Sequence, residues 1–219
     1  MPFPTVTLAD QLQATADLLH TSSARSYAYW GEAMLIRFIN KAMRKRDVLT
    51  GGVRSLVTFA LTASTDTYTF TNTAALANVF DVVSITLIFG ARRMLLGNVP
   101  YTTLTRDQRF ATNFTSYPVA WARYNPTTVI FGPSPVSAYS TIWDVNTYST
   151  ALVATTETDP LPYPYTECVP YGAAALAKID EQQYDEAREF WEMFEAELTT
   201  AINARTGATP NYYTMQRSG

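Results

Sequence analysis

The chain of 219 residues has very few of the residues on which metal and redox chemistry usually depend. It contains one cysteine, Cys168, and one histidine, His20. A single cysteine excludes a disulfide within the chain and a metal site built from several cysteines. A single histidine needs a nucleophile and an orienting group beside it to act as a general base, and the position of His20 near the end of a predicted helix favours a surface role. We therefore expect no metal and no cofactor.

Charged residues are also scarce. They make up 16% of the chain, against about 25% in ordinary soluble proteins, and only Lys41, Lys45 and Lys178 are lysines. Tyrosine is abundant, with 14 residues. Abundant Tyr and Arg with little Lys is typical of protein–protein interfaces. A threonine- and tyrosine-rich β protein with few charges would have the same composition, so both interpretations stand.

Long apolar runs and enzyme signatures are missing as well. The most apolar stretch, residues 82–89, is far too short to span a bilayer, and no basic-then-apolar leader is visible. The sequence has no G-x-x-x-x-G-K-[ST] loop, no G-x-G-x-x-G loop and no G-x-S-x-G elbow. These absences predict a protein that is not an enzyme and has no membrane partner.

Three carboxylates leave one route to catalysis open. Glu157, Asp159 and Glu167 cluster around a proline-rich stretch, and a glycosidase needs only two carboxylates at a suitable separation. Acidic residues in such loops are more often solvated. We keep a hydrolase as an alternative hypothesis.

Charge is unevenly distributed along the chain. Residues 1–130 carry 12 Lys or Arg and seven Asp or Glu, a net charge of +5, whereas residues 131–219 carry four and 12, a net charge of −8. This asymmetry fits a subunit whose two ends face different neighbours. It also fits a basic helix packed beside an acidic one.

Periodicity divides the chain into helical ends and a strand-rich middle. Apolar residues recur at helical spacing near 7–20, 28–46, 166–180 and 184–205, while residues 51–159 hold 21 threonines and short strand-like runs. The sequence predicts an α+β fold: a four-helix bundle built from N- and C-terminal helical hairpins, with an inserted small antiparallel β-sandwich or barrel. The predicted boundaries are 1–50 and 160–206 for the bundle, 51–159 for the β domain and 207–219 for an extended C-terminal tail.

Four prolines mark the return from the β domain to the helices. They lie at Pro160, Pro162, Pro164 and Pro170, and closely spaced prolines favour extended, polyproline-like backbone. We expect a stiff strut here, with Pro170 in the first turn of the third helix, where a missing N–H costs little.

Two groups of residues are candidate contact sites. The second predicted helix carries a basic face, Arg37, Lys41, Arg44 and Lys45, with Arg46 beside it. Such a face is usually solvated or paired with an acidic helix, although it could also contact phosphates. In the tail, Tyr212, Tyr213, Met215 and Arg217 are anchor-type side chains in a polar stretch, the profile of a segment that orders on a partner.

Four stretches of the chain follow a known order of features. The second helix has the pattern E-x-x-L-x-x-x-I-N-x-A. A valine-rich strand and a basic turn follow in "DVVSITLIFGARRML". Further along the chain, a proline-containing element precedes a tyrosine-containing strand. The C-terminal part then has a Leu-Pro pair, spaced tyrosines, a small-residue helix and two phenylalanines. The residues are Glu32, Leu35, Ile39, Asn40 and Ala42; Ile130, Pro133, Pro135 and Tyr139; and Leu161, Pro162, Tyr165, Tyr171, Gly172, Ala173, Ala187, Phe190 and Phe194.

This order, across about 200 residues, resembles the head-to-tail adaptor (head completion or connector) proteins of tailed bacteriophages. The chain departs from the family pattern at Pro170. The resemblance implies a non-enzymatic virion protein of the neck, assembled in the host cytoplasm. Such adaptors form a homo-oligomeric ring, usually of twelve copies, between the portal protein and a tail nozzle or tail-tube protein. Double-stranded DNA passes through the lumen of the ring without specific binding.

The resemblance gives the candidate residues expected roles. It makes the portal the expected partner of the tail anchors, and it places the basic face of the second helix at a subunit interface or in the lumen. A different class of function remains open, in which the β domain binds a glycan through its tyrosines and Trp121 or Trp143. A cell-wall hydrolase carried in the virion is the third hypothesis.

Overall fold

The structure is a computed structural model, and it describes residues 5–20, 30–70, 76–106 and 114–208, the side chains of 204–208 excepted. The chain divides into two compact units. Residues 1–52 and 149–219 form the helical unit, and residues 53–148 form the β unit. In chain order the elements are α1 (Leu8–Leu18), α2 (Glu32–Thr50), β1 (Val53–Leu61), β2 (Thr67–Thr69), β3 (Val79–Phe89), β4 (Arg92–Leu95), β5 (Gly97–Asn98), α3 (Tyr101–Arg106), β6 (Thr115–Ser116), β7 (Ala120–Asn125), β8 (Thr128–Gly132), β9 (Ser134–Pro135), β10 (Tyr139–Thr147), α4 (Cys168–Asp180) and α5 (Tyr184–Ala208).

Local sequence signals fix the ends of the first two helices. Thr7 caps α1 in a capping box, because its hydroxyl accepts from the amide of Asp10 while the Asp10 carboxylate accepts from the Thr7 amide. α2 ends at Thr50 because Gly51 adopts a left-handed conformation with φ 85°. Pro170 lies in the first turn of α4, as predicted. α5 extends to Ala208 and so includes Gly207, the first residue of the predicted tail.

The proline-rich stretch is not the extended strut that we expected. Residues 163–167 form consecutive turns directly before α4. The amide of Tyr165 donates to the carbonyl of Pro162, and that of Glu167 donates to the carbonyl of Pro164. The prolines therefore shape a compact entry into the helix.

The predicted four-helix bundle is wrong. In such a bundle each helix turns one apolar stripe toward a shared axis and exposes its opposite face. α4 has no exposed face of that kind, because its small side chains are buried around most of the helix and α1, α2 and α5 all pack on it. Its buried residues are Cys168, Val169, Pro170, Gly172, Ala173, Ala174, Ala175 and Ala177. The helical unit is therefore organised around one central helix.

Gly172 is the closest contact of the central helix with its neighbours. A Cβ atom at this position would lie 2.9 Å from the Cβ of Ala42 in α2 and 2.9 Å from Cδ2 of Phe194 in α5. Both distances are shorter than real Cβ contacts allow, and the Phe194 side chain is fully buried. The missing side chain lets α2 and α5 approach the same turn of α4.

Substituting Gly172→Ala should destabilise the protein although alanine is the better helix former. Alanine adds about 1 kcal/mol of helix propensity, but the overpacking costs about 1–3 kcal/mol. Chemical denaturation measures the net change in the free energy of unfolding. Ala42→Gly removes one of the clashing atoms, so the double variant should lose less stability than the sum of the single variants. Strictly additive losses would show that Ala42 does not clash with the new methyl group.

The β unit consists of three sheets around its own hydrophobic core. One four-stranded sheet has the order β1-β10-β3-β4, a second has the order β2-β8-β7-β5, and β6 pairs with β9. β1 pairs antiparallel with β10 along its whole length, from Val53 opposite Thr147 to Leu61 opposite Tyr139. The two larger sheets both contribute to the core, which includes Trp121, Phe131 and Trp143.

The expectation that the β domain is antiparallel is corrected in two short strand pairs. β5 runs parallel to β7, and β6 runs parallel to β9. α3 and β6 lie between β5 and β7 in the chain, and the β7-β8 hairpin lies between β6 and β9. Hydrophobic alternation predicts strands but not which strands pair, so the sequence did not reveal this topology.

Candidate interaction surfaces

The basic face of α2 is a solvent-exposed stripe. Arg37, Lys41, Arg44 and Lys45 are all exposed, and none forms an ion pair with the residues that the structure describes. Lys45 places its Nζ 5.8 Å from the ring centroid of Trp191, a cation–π contact with α5. The structure therefore keeps the four predicted residues together on one accessible surface.

Arg46, the next residue, points in the opposite direction and is fully buried. Its Nη1 and Nη2 atoms both bind the carboxylate of Asp159, and Nη2 also binds Ser149 Oγ at 3.0 Å. Asp47 accepts from Nε at 3.2 Å and from Nη2 at 3.0 Å. The sequence interpretation assigned Arg46 to the solvated stripe and missed this cluster. Arg46 follows Ala42 by four residues and so lies on the apolar side of α2, opposite the stripe. This spacing was the sequence signal that could have indicated its burial.

The buried cluster of Arg46, Asp47, Ser149 and Asp159 satisfies its charges internally. Burial lowers the pKa of Arg46, because it disfavours the positive charge. The hydrogen bonds and negative charges of Asp159 and Asp47 have a larger combined effect, so the pKa of Arg46 is raised. Each carboxylate has a further backbone donor, since Asp47 accepts from the Ser149 amide and Asp159 accepts from the Leu161 amide. Such groups are stable in a protein interior only when paired.

The same region explains the conformation of residues 149–159. Asn40 forms a reciprocal pair with the backbone of Leu152, donating to its carbonyl and accepting from its amide, each at 2.8 Å. The amide of Leu8 donates to the carbonyl of Glu157 at 2.8 Å. This non-helical segment is therefore fixed to both α1 and α2 by backbone and side-chain hydrogen bonds.

The carboxylates of the hydrolase hypothesis have structural partners. Asp159 is buried against Arg46, and the Glu157 carboxylate accepts from the amides of Val153 and Ala154. Glu167 is exposed just before α4. Two of the three groups thus hold backbone or a buried charge in place, which leaves the hypothesis without a carboxylate pair assembled for catalysis.

Removing the buried guanidinium should destabilise the protein strongly. Arg46→Met leaves two buried carboxylates without their cation, a change that typically costs about 3–5 kcal/mol. Arg44→Met is the matched control, because Arg44 is exposed on the same helix and its loss should change stability by less than about 0.5 kcal/mol. Urea denaturation monitored by circular dichroism measures both. Similar losses for the two variants would contradict the pairing.

The β unit has an open sheet face that carries little charge. Leu56 in β1 is 73% exposed and Leu95 in β4 is 72% exposed, and the strand register places both on the side of the sheet away from the core. Arg54 and Asp144 form a two-point ion pair on this face. The register adds Arg93 and Asp81, and Asp81 accepts from Arg123 Nη1 at 2.7 Å. The uncharged residues that the register places on the face are Leu56, Thr58, Ala60, Ser84, Thr86, Ile88, Leu95, Ser140, Ile142 and Asn146.

The two tryptophans of the glycan hypothesis are core residues. Trp121 is 1% exposed and Trp143 is fully buried. Trp143 packs edge-to-face against Phe59 and Phe131, and its Nε1 donates to the Thr141 hydroxyl. Glycan recognition by stacking needs an aromatic face open to solvent, which neither ring offers.

The remaining candidate residues have varied positions. His20 is exposed just after α1. Cys168 is buried at the start of α4, and this burial raises the pKa of its thiol to about 12. The tail anchors Tyr212, Tyr213, Met215 and Arg217 lie outside the described residues.

Two other kinds of site are absent from the described ranges. Among these residues, no helix has the length and apolarity that a membrane crossing requires. Nor do the described side chains include three or more His, Cys, Asp or Glu grouped so that they could hold a metal ion. In comparisons with family models and with curated proteins, nothing matches this chain.

Proposed function

We propose that this chain is a structural subunit of a tailed-phage neck, an adaptor that forms a homo-oligomeric ring beneath the portal and joins it to the tail. The observation that supports this most directly is the open face of the β1-β10-β3-β4 sheet. This face exposes Leu56 and Leu95 among hydroxyl and aliphatic side chains, and exposed large apolar side chains grouped on one surface are typical of surfaces that associate. β1, with nine residues, is an edge strand of the same sheet. Among the described residues, β10 is its one strand partner. Long unpaired strand edges favour pairing with other chains.

In this proposal the basic stripe of α2 contacts neighbouring protein and does not hold DNA. A channel that bound a moving genome tightly would stall it, because phosphate contacts by several Lys or Arg add up to strong affinity. The four cations of the stripe have no ion-pair partner among the described residues of their own chain. A neighbouring subunit can supply those partners. DNA then passes through the ring without a specific site.

The sheet face can be tested by adding charge to it. Leu56→Asp and Leu95→Asp together should leave the fold intact, because both side chains are exposed, and should abolish self-association that depends on this face. Val153→Asp is the control, since Val153 is 74% exposed in the helical unit. Sedimentation velocity over a concentration series gives the masses. If the wild-type chain remains a monomer at every concentration, or if the double variant assembles as the wild type does, this support for the proposal is lost.

The tail provides the portal contact in this proposal. A few aromatic anchors can contribute about 2 kcal/mol or more each at an interface, and Tyr212, Tyr213 and Met215 are such residues. Because α5 extends to Ala208, a deletion of residues 209–219 removes them without shortening the helix.

This deletion should leave the circular dichroism spectrum and the unfolding transition unchanged, and it should sharply weaken attachment to portal-bearing heads. Tyr212→Ala with Tyr213→Ala should have most of the same effect. Attachment is measured as the amount of adaptor that co-sediments with purified heads. A truncated chain that joins heads with wild-type affinity would exclude the tail from the contact.

A further inference from the structure

α5 carries an acidic stripe on its exposed side. Asp185, Glu189 and Glu192 are exposed at positions i, i+4 and i+7, and the exposed Ala196 follows at i+11. At 100° per residue these four positions fall within about 60° of one another on the helix surface. The buried residues of α5 lie on the opposite side of the helix: Ala187, Phe194, Leu198 and Ala201.

The basic stripe of α2 repeats this pattern with the opposite charge. Arg37, Lys41 and Arg44 occupy positions i, i+4 and i+7, and Val48, which is 53% exposed, follows at i+11. The buried residues Leu35, Ile39, Ala42 and Arg46 lie on the other side of the helix. Both stripes therefore face away from the core of the helical unit, to which α2 and α5 both belong.

Contacts within the chain leave both stripes largely unneutralised. In the acidic stripe, Glu192 pairs with Arg188 at 3.0 Å, but these side chains are 65% and 80% exposed, and such surface pairs contribute little. Among the described residues, no ion pair joins the two stripes. Their charges are available to another molecule.

We propose that the basic stripe of α2 in one copy binds the acidic stripe of α5 in the next copy. This inference rests on the proposed ring and names the surface at which its subunits meet. The equal spacing lets three opposite charges face each other at once when the two helices run parallel, with Val48 opposite Ala196. When each copy uses its basic stripe toward one neighbour and its acidic stripe toward another, the contact is heterologous, and a heterologous contact repeats in one direction and can close into a ring.

A second copy fits these observations better than DNA does. Phosphate binding would engage the basic stripe alone and would leave the acidic stripe with no role. Mutual contact neutralises both stripes and explains their matched spacing. Complementary charge patterns of this kind fix register and exclude wrong partners more than they add affinity.

Exchanging the charges tests this contact. One variant reverses the basic stripe, with Arg37→Glu, Lys41→Glu and Arg44→Glu, and a second reverses the acidic stripe, with Asp185→Lys, Glu189→Lys and Glu192→Lys. Each variant alone should lose self-association by about tenfold or more, because like charges then face each other. An equimolar mixture should regain it, since every contact in an alternating ring again joins opposite charges. A chain with all six substitutions should also assemble.

Native mass spectrometry and sedimentation velocity give the copy number and composition, and circular dichroism confirms that each variant is folded. Restored assembly that contains both variants in equal amounts, and that weakens as salt rises, supports the contact. If the wild type forms rings and either single variant forms them equally well, the inference fails while the proposed function stands.

The other outcomes are equally decisive. A wild-type chain and a mixture that both remain monomeric overturn the ring itself. A basic-stripe variant that assembles normally but loses binding to a 50-base-pair duplex assigns the stripe to DNA instead.

Discussion

The pairing of Arg46 with Asp159 and Asp47 is the interaction on which the helical unit depends. That unit is assembled from two separate parts of the chain, residues 1–52 and 149–219, with the whole β unit inserted between them. The guanidinium on α2 binds Asp159 on the returning segment across 113 positions of sequence. Because a buried charge is stable only with its partners, this cluster selects one arrangement of the two parts.

The sequence predicted the helices well and their arrangement poorly. Caps and apolar periodicity are local signals, so the start of α1 at Thr7 and the end of α2 at Gly51 could be predicted. The four-helix bundle was wrong because periodicity does not show how many neighbours a helix has. α4 consists largely of small and apolar residues, four of its 13 being alanine, so it has no strong polar face. Gly172 lets two helices meet it at one turn.

The same limit applies to the candidate site. A run of basic residues at Arg44, Lys45 and Arg46 looks uniform in sequence, yet the helix turns the third of them into the core, where its partners come from a distant segment. Pairing such as β1 with β10, and the parallel pairs of β5 and β6, likewise depends on chain that is far away in sequence. Within the described ranges, the molecule exposes one face of the β1-β10-β3-β4 sheet, an edge of β1 with no strand partner, and two stripes of opposite charge. They are the properties expected of a subunit that is completed by its neighbours.

The position of this chain in a particle tests the central claim most directly. Electron cryo-microscopy of a virion that contains it should show density for many copies arranged as a closed ring between the portal and the tail, with the sheet face and the α2 stripe covered by adjoining subunits. Density elsewhere in the particle, or copies whose sheet face and α2 stripe remain open to solvent, would contradict the account.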